Sequence, residues 1–191
     1  MSSVATPLSR LLRALDLEAA GRDRFQARTG SQEGRTYGGL TIAQTVIAAG
    51  RTVPRGQLHS LHAYFLRPGR QGAGVEYRVE RVRDGKSFHA RRVLGCQDGE
   101  PIVTMLASFA EGREGIAHQD AMPSAPDPDG LPDWDDLKRA IGAPASSLRS
   151  DLAMDARVCE PVAELRMPGP ARWRVWLRPR GALPDDPLLN V

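Results

Sequence analysis

One segment of the sequence is apolar around almost its whole circumference. Residues 40–53 read LTIAQTVIAAGRTV, and apolar side chains recur there at helical spacing on two different faces. Before Gly50 the only polar residues are Thr41, Gln44 and Thr45. A helix of this kind must be buried on all sides, and at about four turns it is too short to cross a bilayer. Other parts of the chain therefore have to enclose it.

The residues that follow predict antiparallel strands able to enclose this helix. Alternating patterns indicate about four strands between residues 58 and 109, with hairpin signals at Asp84-Gly85 and Asp98-Gly99. The apolar face predicted for the third strand carries Phe88, Ala90, Leu94 and Cys96. The economical arrangement is a curved sheet around a central helix, which is an α+β architecture.

The composition changes after Glu111. Proline recurs through an acidic stretch without strand pattern, so residues 112–150 are predicted to be a linker with a short helix near residues 134–141. Two further strands are predicted within residues 151–191, and two strands cannot close a core. We therefore predict a first domain over residues 1–111, the linker, and an incomplete second domain.

Charge and cysteine content argue against several classes of protein. The net charge is only +3 and no dense basic run with interleaved aromatic residues occurs, so nucleic-acid binding is not favoured. Cys96 and Cys159 form no CxxC pair, which argues against a zinc site or a disulfide scaffold. We expect no metal and no cofactor. Neither a membrane span nor a secretory leader is indicated, so a cytoplasmic protein is expected.

Six blocks of sequence carry a resemblance to a known family. They are YGGLTIAQ (37–44), HSLHAYFLRPG (59–69), RVERVRDGKSFHARRV (78–93), MLASF (105–109), HQDAMPSAPDPDGLP (118–132) and LPDDP (183–187). In this order they resemble the type II acyl-CoA thioesterases, the TesB-like enzymes. The resemblance implies a double hotdog fold, of which this chain would hold one complete hotdog and the start of a second. It also implies a role in fatty acid metabolism: hydrolysis of fatty acyl-CoA to free fatty acid and CoA, without a cofactor.

The resemblance further implies where the catalytic groups of such enzymes lie. In that family an Asp, a Ser or Thr and a Gln of the second hotdog position the hydrolytic water, and no residue of this sequence up to Val191 matches them. We therefore expect little or no thioesterase activity from this chain alone. The alternative is a non-catalytic module that binds acyl-CoA or pairs with another hotdog subunit. A homo-oligomer is expected because hotdog sheets commonly pair edge to edge.

A third option, a hotdog hydratase, is weaker. It would need an acid/base His or Asp at the start of the helix, and residues 37–44 contain neither.

The start of the buried helix contributes four candidate substrate-binding residues. Gly38 and Gly39 open the helix, where free N–H groups and the positive end of the dipole can bind a thioester oxygen or a phosphate. A tight turn explains the glycine pair equally well. Tyr37 precedes them in the same loop. Gln44 can hold a water or a substrate carbonyl, or it can satisfy a neighbouring backbone group.

Two further candidates lie in the HSLHAYFLRPG block. His59 matches a histidine of the family's block and is a candidate general base, with a structural histidine as the alternative. Arg67 is a candidate for binding the phosphates of CoA, because a planar guanidinium matches phosphate geometry. The other arginines considered for this role are Arg81, Arg83, Arg91 and Arg92. For each arginine the alternative is a solvated face of the sheet.

Overall fold

The computed structural model describes residues 5–28, 34–112, 114–144, 152–161 and 173–190. Parts of the predicted linker and second domain, residues 145–151 and 162–172, therefore lie outside the described residues. The chain divides into two compact units. One comprises Leu12–Gly115 and Leu183–Val191, and the other comprises Met1–Leu11 and Ile116–Ala182.

The described residues up to Ala110 form two helices and six strands. They are α1 (Pro7–Leu15), β1 (Glu18–Ala19), β2 (Arg24–Arg28), α2 (Gly38–Gly50), β3 (Gln57–Phe65), β4 (Gly74–Asp84), β5 (Phe88–Gln97) and β6 (Glu100–Ala110). The strands form one antiparallel sheet in the order β1-β2-β4-β5-β6-β3. The four strands predicted between residues 58 and 109 are thereby confirmed, and β3 is an edge strand.

Helix α2 is the centre of this unit. It contacts β2 to β6, and every residue from Gln44 to Gly50 is buried. The helix ends at Gly50, three residues before the predicted end, and its first turn is more exposed than the rest. The prediction of a helix enclosed by a sheet is confirmed. The helix is apolar on all sides, so packing one face against a core would leave apolar surface in water. The enclosing sheet removes this surface from water.

The segment Leu183–Asn190 also packs against α2. Leu188 and Leu189 lie against the core cluster, and Leu188 covers Gly50 so closely that a Cβ at that position would overlap its side chain. This contact explains the glycine at the end of a buried helix. It also places the residues of the LPDDP block in the same compact unit as the six-stranded sheet.

The core face of β5 is the opposite of the predicted one. Arg91 and Val93 are fully buried, whereas Phe88 is exposed. A bulge between Gly95 and Cys96 then brings Cys96 to the buried side. The prediction from alternation was wrong because it placed an arginine outside, and this arginine finds polar partners inside the sheet.

Those partners lie at the C-terminal end of α2 and at the end of β4. The Arg91 Nε donates to Thr52 Oγ1 at 2.7 Å, and its Nη2 donates to the Thr52 carbonyl at 3.0 Å. Nη1 donates to the Arg83 carbonyl at 2.9 Å, and the Asp84 carboxylate accepts from Nη2. The hydrogen bond from Arg91 is the main reason that the pKa of Asp84 lies below 3.8. The structure therefore corrects the interpretation of Arg91 as a phosphate ligand, because it anchors the helix end.

The other unit contains a short helix and a hairpin. Its elements are a single 3-10 turn (Pro128–Gly130), α3 (Trp134–Ala140), β7 (Met154–Val158) and β8 (Val175–Pro179). β7 and β8 pair antiparallel as a separate two-stranded sheet, and α3 contacts β7. The predicted short helix and both predicted strands are confirmed. In the described residues this unit has these two strands only, and Leu177 on its apolar face is exposed.

We predict that Arg91→Ala lowers the free energy of unfolding by about 3 kcal/mol, because it leaves buried carbonyl groups without donors and opens space beside α2. Arg92→Ala is the matched control, since Arg92 is the next residue, lies on the exposed face and pairs with Glu80. It should change stability by less than about 0.5 kcal/mol. Urea unfolding measures both values. Equal losses in the two variants would contradict the anchoring role.

Candidate functional site

Helix α2 begins with backbone donors that its own turns do not use. The N–H groups of Leu40 and Thr41 both donate to the Tyr37 carbonyl, at 3.1 and 3.3 Å. The N–H groups of Gly38 and Gly39 come before the first of these hydrogen bonds. The side chain of Tyr37 does not cap the helix. Backbone N–H groups in the first turn lack intrahelical acceptors and carry the positive end of the helix dipole. This end of the buried helix is therefore an electropositive group of donors.

A cavity of about 350 Å³ opens at this end of α2. Gly38 and Thr41 contribute to its wall from the helix, Phe65 from the end of β3, and Arg67 from the turn that follows. Gly38 and Arg67 were both predicted as substrate-binding residues from separate sequence blocks. The fold brings them to one cavity because β3 ends beside the start of α2.

Two arginines give the cavity a positive rim. Arg35 and Arg67 both line it. The Arg67 Nη1 donates to the Pro101 carbonyl at 3.0 Å, and its Nη2 lies 3.3 Å from Glu100 Oε2. These contacts hold the guanidinium in place while about half of the side chain stays exposed. Two cations beside a helix N-terminus are typical of an anion-binding site.

Aromatic rings lie close to both glycines at the start of the helix. A Cβ on Gly38 would lie 3.1 Å from the Phe65 ring, and a Cβ on Gly39 would overlap the ring of Tyr37. Tyr37 itself is largely exposed at the helix start. Aromatic rings and free N–H groups are thus both present at the glycine pair, and the tight turn and the anion-binding helix start both stay predictions.

Gln44 lies deeper in α2 and has internal partners. Its Nε2 donates to the Ala14 carbonyl at 2.7 Å, and its Oε1 accepts from the Tyr77 hydroxyl at 2.8 Å. The side chain is fully buried, and burial also raises the pKa of the Tyr77 phenol. Both ends of the amide are used without a ligand. The geometry therefore favours the alternative in which Gln44 satisfies a neighbouring backbone group, here at the end of α1.

His59 lies at the opposite end of β3 from the cavity. Its Nε2 is 2.8 Å from Ser108 Oγ, and its ring contacts Phe88 edge-on with centroids 5.8 Å apart. Six residues of extended strand place it about 20 Å from Phe65. The structure does not bring His59 together with Gly38 and Arg67. A general-base role for His59 at this cavity has no geometric support.

Among the residues that the structure describes, the cavity wall contains no acid/base side chain of the usual catalytic kinds. Its lining residues include neither carboxylate, histidine nor cysteine, and Thr36 and Thr41 supply its hydroxyl groups. Across the described residues, no group of three or more His, Cys, Asp or Glu side chains is placed to hold a metal ion. The arrangement can bind an anion and polarise a carbonyl. It does not present a base to activate water.

Comparison with known proteins identifies the family. Residues 25–110 match the family described as Acyl-CoA thioesterase N-terminal domain. Human Acyl-coenzyme A thioesterase 8 is 32% identical over 190 residues, and the match covers 91% of this chain and 59% of that protein. The chain belongs to the type II acyl-CoA thioesterase family. Acyl-CoA thioesterase 2 of Haemophilus influenzae is 37% identical over 100 residues, covering 52% of this chain and 35% of the relative.

Solved structures of this thioesterase family show the same fold. The acyl-CoA thioesterase II TesB2 of Mycobacterium marinum has a TM-score of 0.73 at 39% identity, covering 95% of this chain and 63% of that one. The tesB protein of Mycobacterium avium subs paratuberculosis has a TM-score of 0.78 at 33% identity, covering 96% and 66%. The predicted α+β hotdog fold is confirmed. This chain spans less than two thirds of the length of these relatives.

No helix in the described part of this thioesterase-family chain is long and apolar enough to cross a membrane.

Sequence reasoning missed several contributors to the cavity. Arg35 and Phe65 both line it, and neither was singled out from the sequence. Phe65 lies at the end of a predicted strand, just before the Arg67-Pro68-Gly69 turn. An aromatic residue at that position could have indicated a binding residue. His89 was also missed: it is buried with its Nδ1 3.1 Å from Asp84 Oδ1, in the group that anchors the other end of α2.

We predict that Tyr77→Phe lowers the free energy of unfolding by about 1 kcal/mol, because the Gln44 Oε1 loses its donor inside the core. Tyr64→Phe is the control, since Tyr64 is an exposed tyrosine on the same sheet, and it should leave stability unchanged. Chemical unfolding followed by tryptophan fluorescence measures both. If Tyr77→Phe kept full stability and instead lost CoA binding, the structural role of Gln44 would be wrong.

Proposed function

We propose that this chain binds acyl-CoA at the cavity beside the start of α2, as part of an enzyme that hydrolyses fatty acyl-CoA to fatty acid and CoA. The observation that carries the proposal is the shared cavity of Gly38 and Arg67. One contributes donors at a helix N-terminus and the other a fixed cation. The names of the relatives, all acyl-CoA thioesterases or thioester hydrolases, support the choice of substrate.

In this proposal the thioester oxygen faces the N–H groups of Gly38 and Gly39. A water oxygen attacks the carbonyl carbon, and negative charge collects on the carbonyl oxygen. The carbon–sulfur bond then breaks, the fatty acid is released, and the CoA thiolate gains the proton that the attacking water loses. Donors fixed in place before the reaction stabilise that developing charge most strongly. The helix dipole adds to the effect.

The phosphates of CoA would lie at the arginine rim. Arg67 offers a planar fork of donors, and its ion pair with Glu100 is between exposed side chains. Such a pair contributes little to stability, so a phosphate can replace the carboxylate at small cost. Tyr37, exposed beside Gly39, can cover the entrance.

We also propose that this chain alone has little or no turnover. The supporting observation is the described part of the cavity wall, where hydroxyl groups but no carboxylate or histidine are available to take a proton from water. Binding without turnover is the behaviour expected of the alternative function, a non-catalytic acyl-CoA-binding module. No cofactor is part of either proposal, and the cytoplasmic location stays a prediction.

Calorimetric titration of the 191-residue chain with CoA tests the binding site. Arg67→Ala should weaken the affinity about tenfold, because one charge-assisted contact to phosphate is lost. Arg92→Ala should leave it unchanged, since Arg92 lies on the outer face of the sheet and pairs with Glu80. A thiol-release assay with fatty acyl-CoA should show turnover near the uncatalysed rate.

Two results would overturn these proposals separately. Equal effects of the two arginine substitutions on the affinity for CoA would show that CoA does not bind at the cavity. Robust turnover by the chain alone would refute the proposal of inactivity and leave the binding site standing.

We further propose that the chain forms a homo-oligomer through the edge of its sheet. β3 pairs with β6 on one side, and its nine residues leave the other edge of the sheet open within the described residues. An open edge is a template for pairing with another strand. Antiparallel pairing of β3 with the same strand of a second copy would be self-complementary, as a two-fold interface requires.

Sedimentation velocity tests this proposal by measuring mass against concentration. We expect a species of twice the 20.8 kDa chain mass at micromolar concentration. A chain that stayed monomeric throughout would exclude pairing at this edge.

A further inference from the structure

Strand β3 carries apolar side chains on the core-facing side of the sheet that the rest of the unit leaves uncovered. Leu61 pairs with Ala107 and Phe65 pairs with Val103. Both partners are buried in the core, which fixes the direction of the two side chains. Yet Leu61 is 41% and Phe65 58% exposed. Core-facing apolar residues with this much exposure mark an incomplete apolar surface.

The surface between Leu61 and Phe65 is uncharged. Ala63 lies between Leu61 and Phe65 on the same face, opposite the buried Met105. We call Leu61, Ala63 and Phe65 the β3 strip. At the rise of an extended strand it runs about 13 Å from Phe65 to Leu61. It is long and narrow, and it suits an extended hydrocarbon chain better than a polar ligand.

The β3 strip starts at the cavity described above. Phe65 lines the cavity wall, and its ring packs against the backbone of Gly38 at the start of α2. A thioester held by the Gly38 N–H would therefore have Phe65 as its immediate apolar neighbour. From there the strip leads away from the arginine rim. The two chemical halves of an acyl-CoA, a charged nucleotide and an apolar chain, match the rim and the strip.

We propose that the acyl chain lies along the β3 strip and that Phe65 and Leu61 set the chain-length preference. This inference rests on the proposed function, since it takes the thioester to be at Gly38. Phe65 contacts the first methylene groups of any acyl chain. Leu61 contacts only chains long enough to reach it. Apolar contacts strengthen binding in proportion to the area that they bury, so affinity rises with chain length up to the end of the strip.

Calorimetry with non-hydrolysable thioether analogues tests the inference. The probes are CoA, S-butyl-CoA and S-dodecyl-CoA, added to the 191-residue chain. We expect S-dodecyl-CoA to bind at least about tenfold more tightly than CoA. Leu61→Ala should weaken S-dodecyl-CoA about fivefold and leave S-butyl-CoA unchanged. Phe65→Ala should weaken both analogues, and Leu61→Ala should not affect the affinity for CoA itself.

Tyr64→Ala is the matched control. Tyr64 is the neighbour of Phe65, is 62% exposed and points to the opposite face of the sheet. It should leave the affinities for all three probes unchanged. A thermal melt of each variant checks that it is folded. We expect every variant to fold, because exposed residues of an edge strand contribute little to the core.

The outcomes separate this inference from the proposed function. If CoA binds but alkyl length has no effect, the β3 strip is not the acyl site while the CoA site stands. If no probe binds, both proposals fail. If Leu61→Ala and Phe65→Ala alter the sedimenting mass but not the dependence on chain length, the strip is covered by a second copy and the inference is overturned.

Discussion

The structure depends on the burial of α2, a helix whose apolar surface goes all the way round. Burial removes that surface from water but also takes the polar groups of the helix with it, and those groups need partners. Gln44 finds them in Ala14 and Tyr77. At the C-terminal end, Arg91 donates to Thr52 from within the sheet. These polar contacts fix the helix in depth and in rotation, which apolar packing alone would not do.

The two ends of α2 are treated differently, and this difference creates the site. At the C-terminal end, Arg91 places a buried positive charge where the helix dipole is negative. At the N-terminal end, the first N–H groups open onto a cavity, and two arginines lie on its rim. A helix held firmly at one end presents donors at a fixed position at the other. Preorganised donors of this kind are what stabilisation of a developing oxyanion requires.

The sequence predicted the buried helix, the enclosing strands and two residues of the cavity, because each depends on a local pattern. It did not predict which face of β5 is buried. Alternation placed Phe88 inside and Arg91 outside, whereas the partners that make a buried Arg91 favourable, Thr52 and Asp84, come from elsewhere in the chain. His59 was misplaced for a related reason. Its block also contains Phe65 and Arg67, but an extended strand separates its two ends by about 20 Å.

Two functions are proposed for strand β3, pairing with a second copy and binding an acyl chain, and they use groups that point in perpendicular directions. Its backbone N–H and C=O groups lie in the plane of the sheet, where they are available to a strand of a second copy. Its side chains stand out of that plane, where Leu61 and Phe65 are available to an acyl chain. Pairing at the edge would therefore not consume the β3 strip but would add a wall beside it. An exposed apolar edge is normally a hazard for aggregation, and here both proposed uses would cover it.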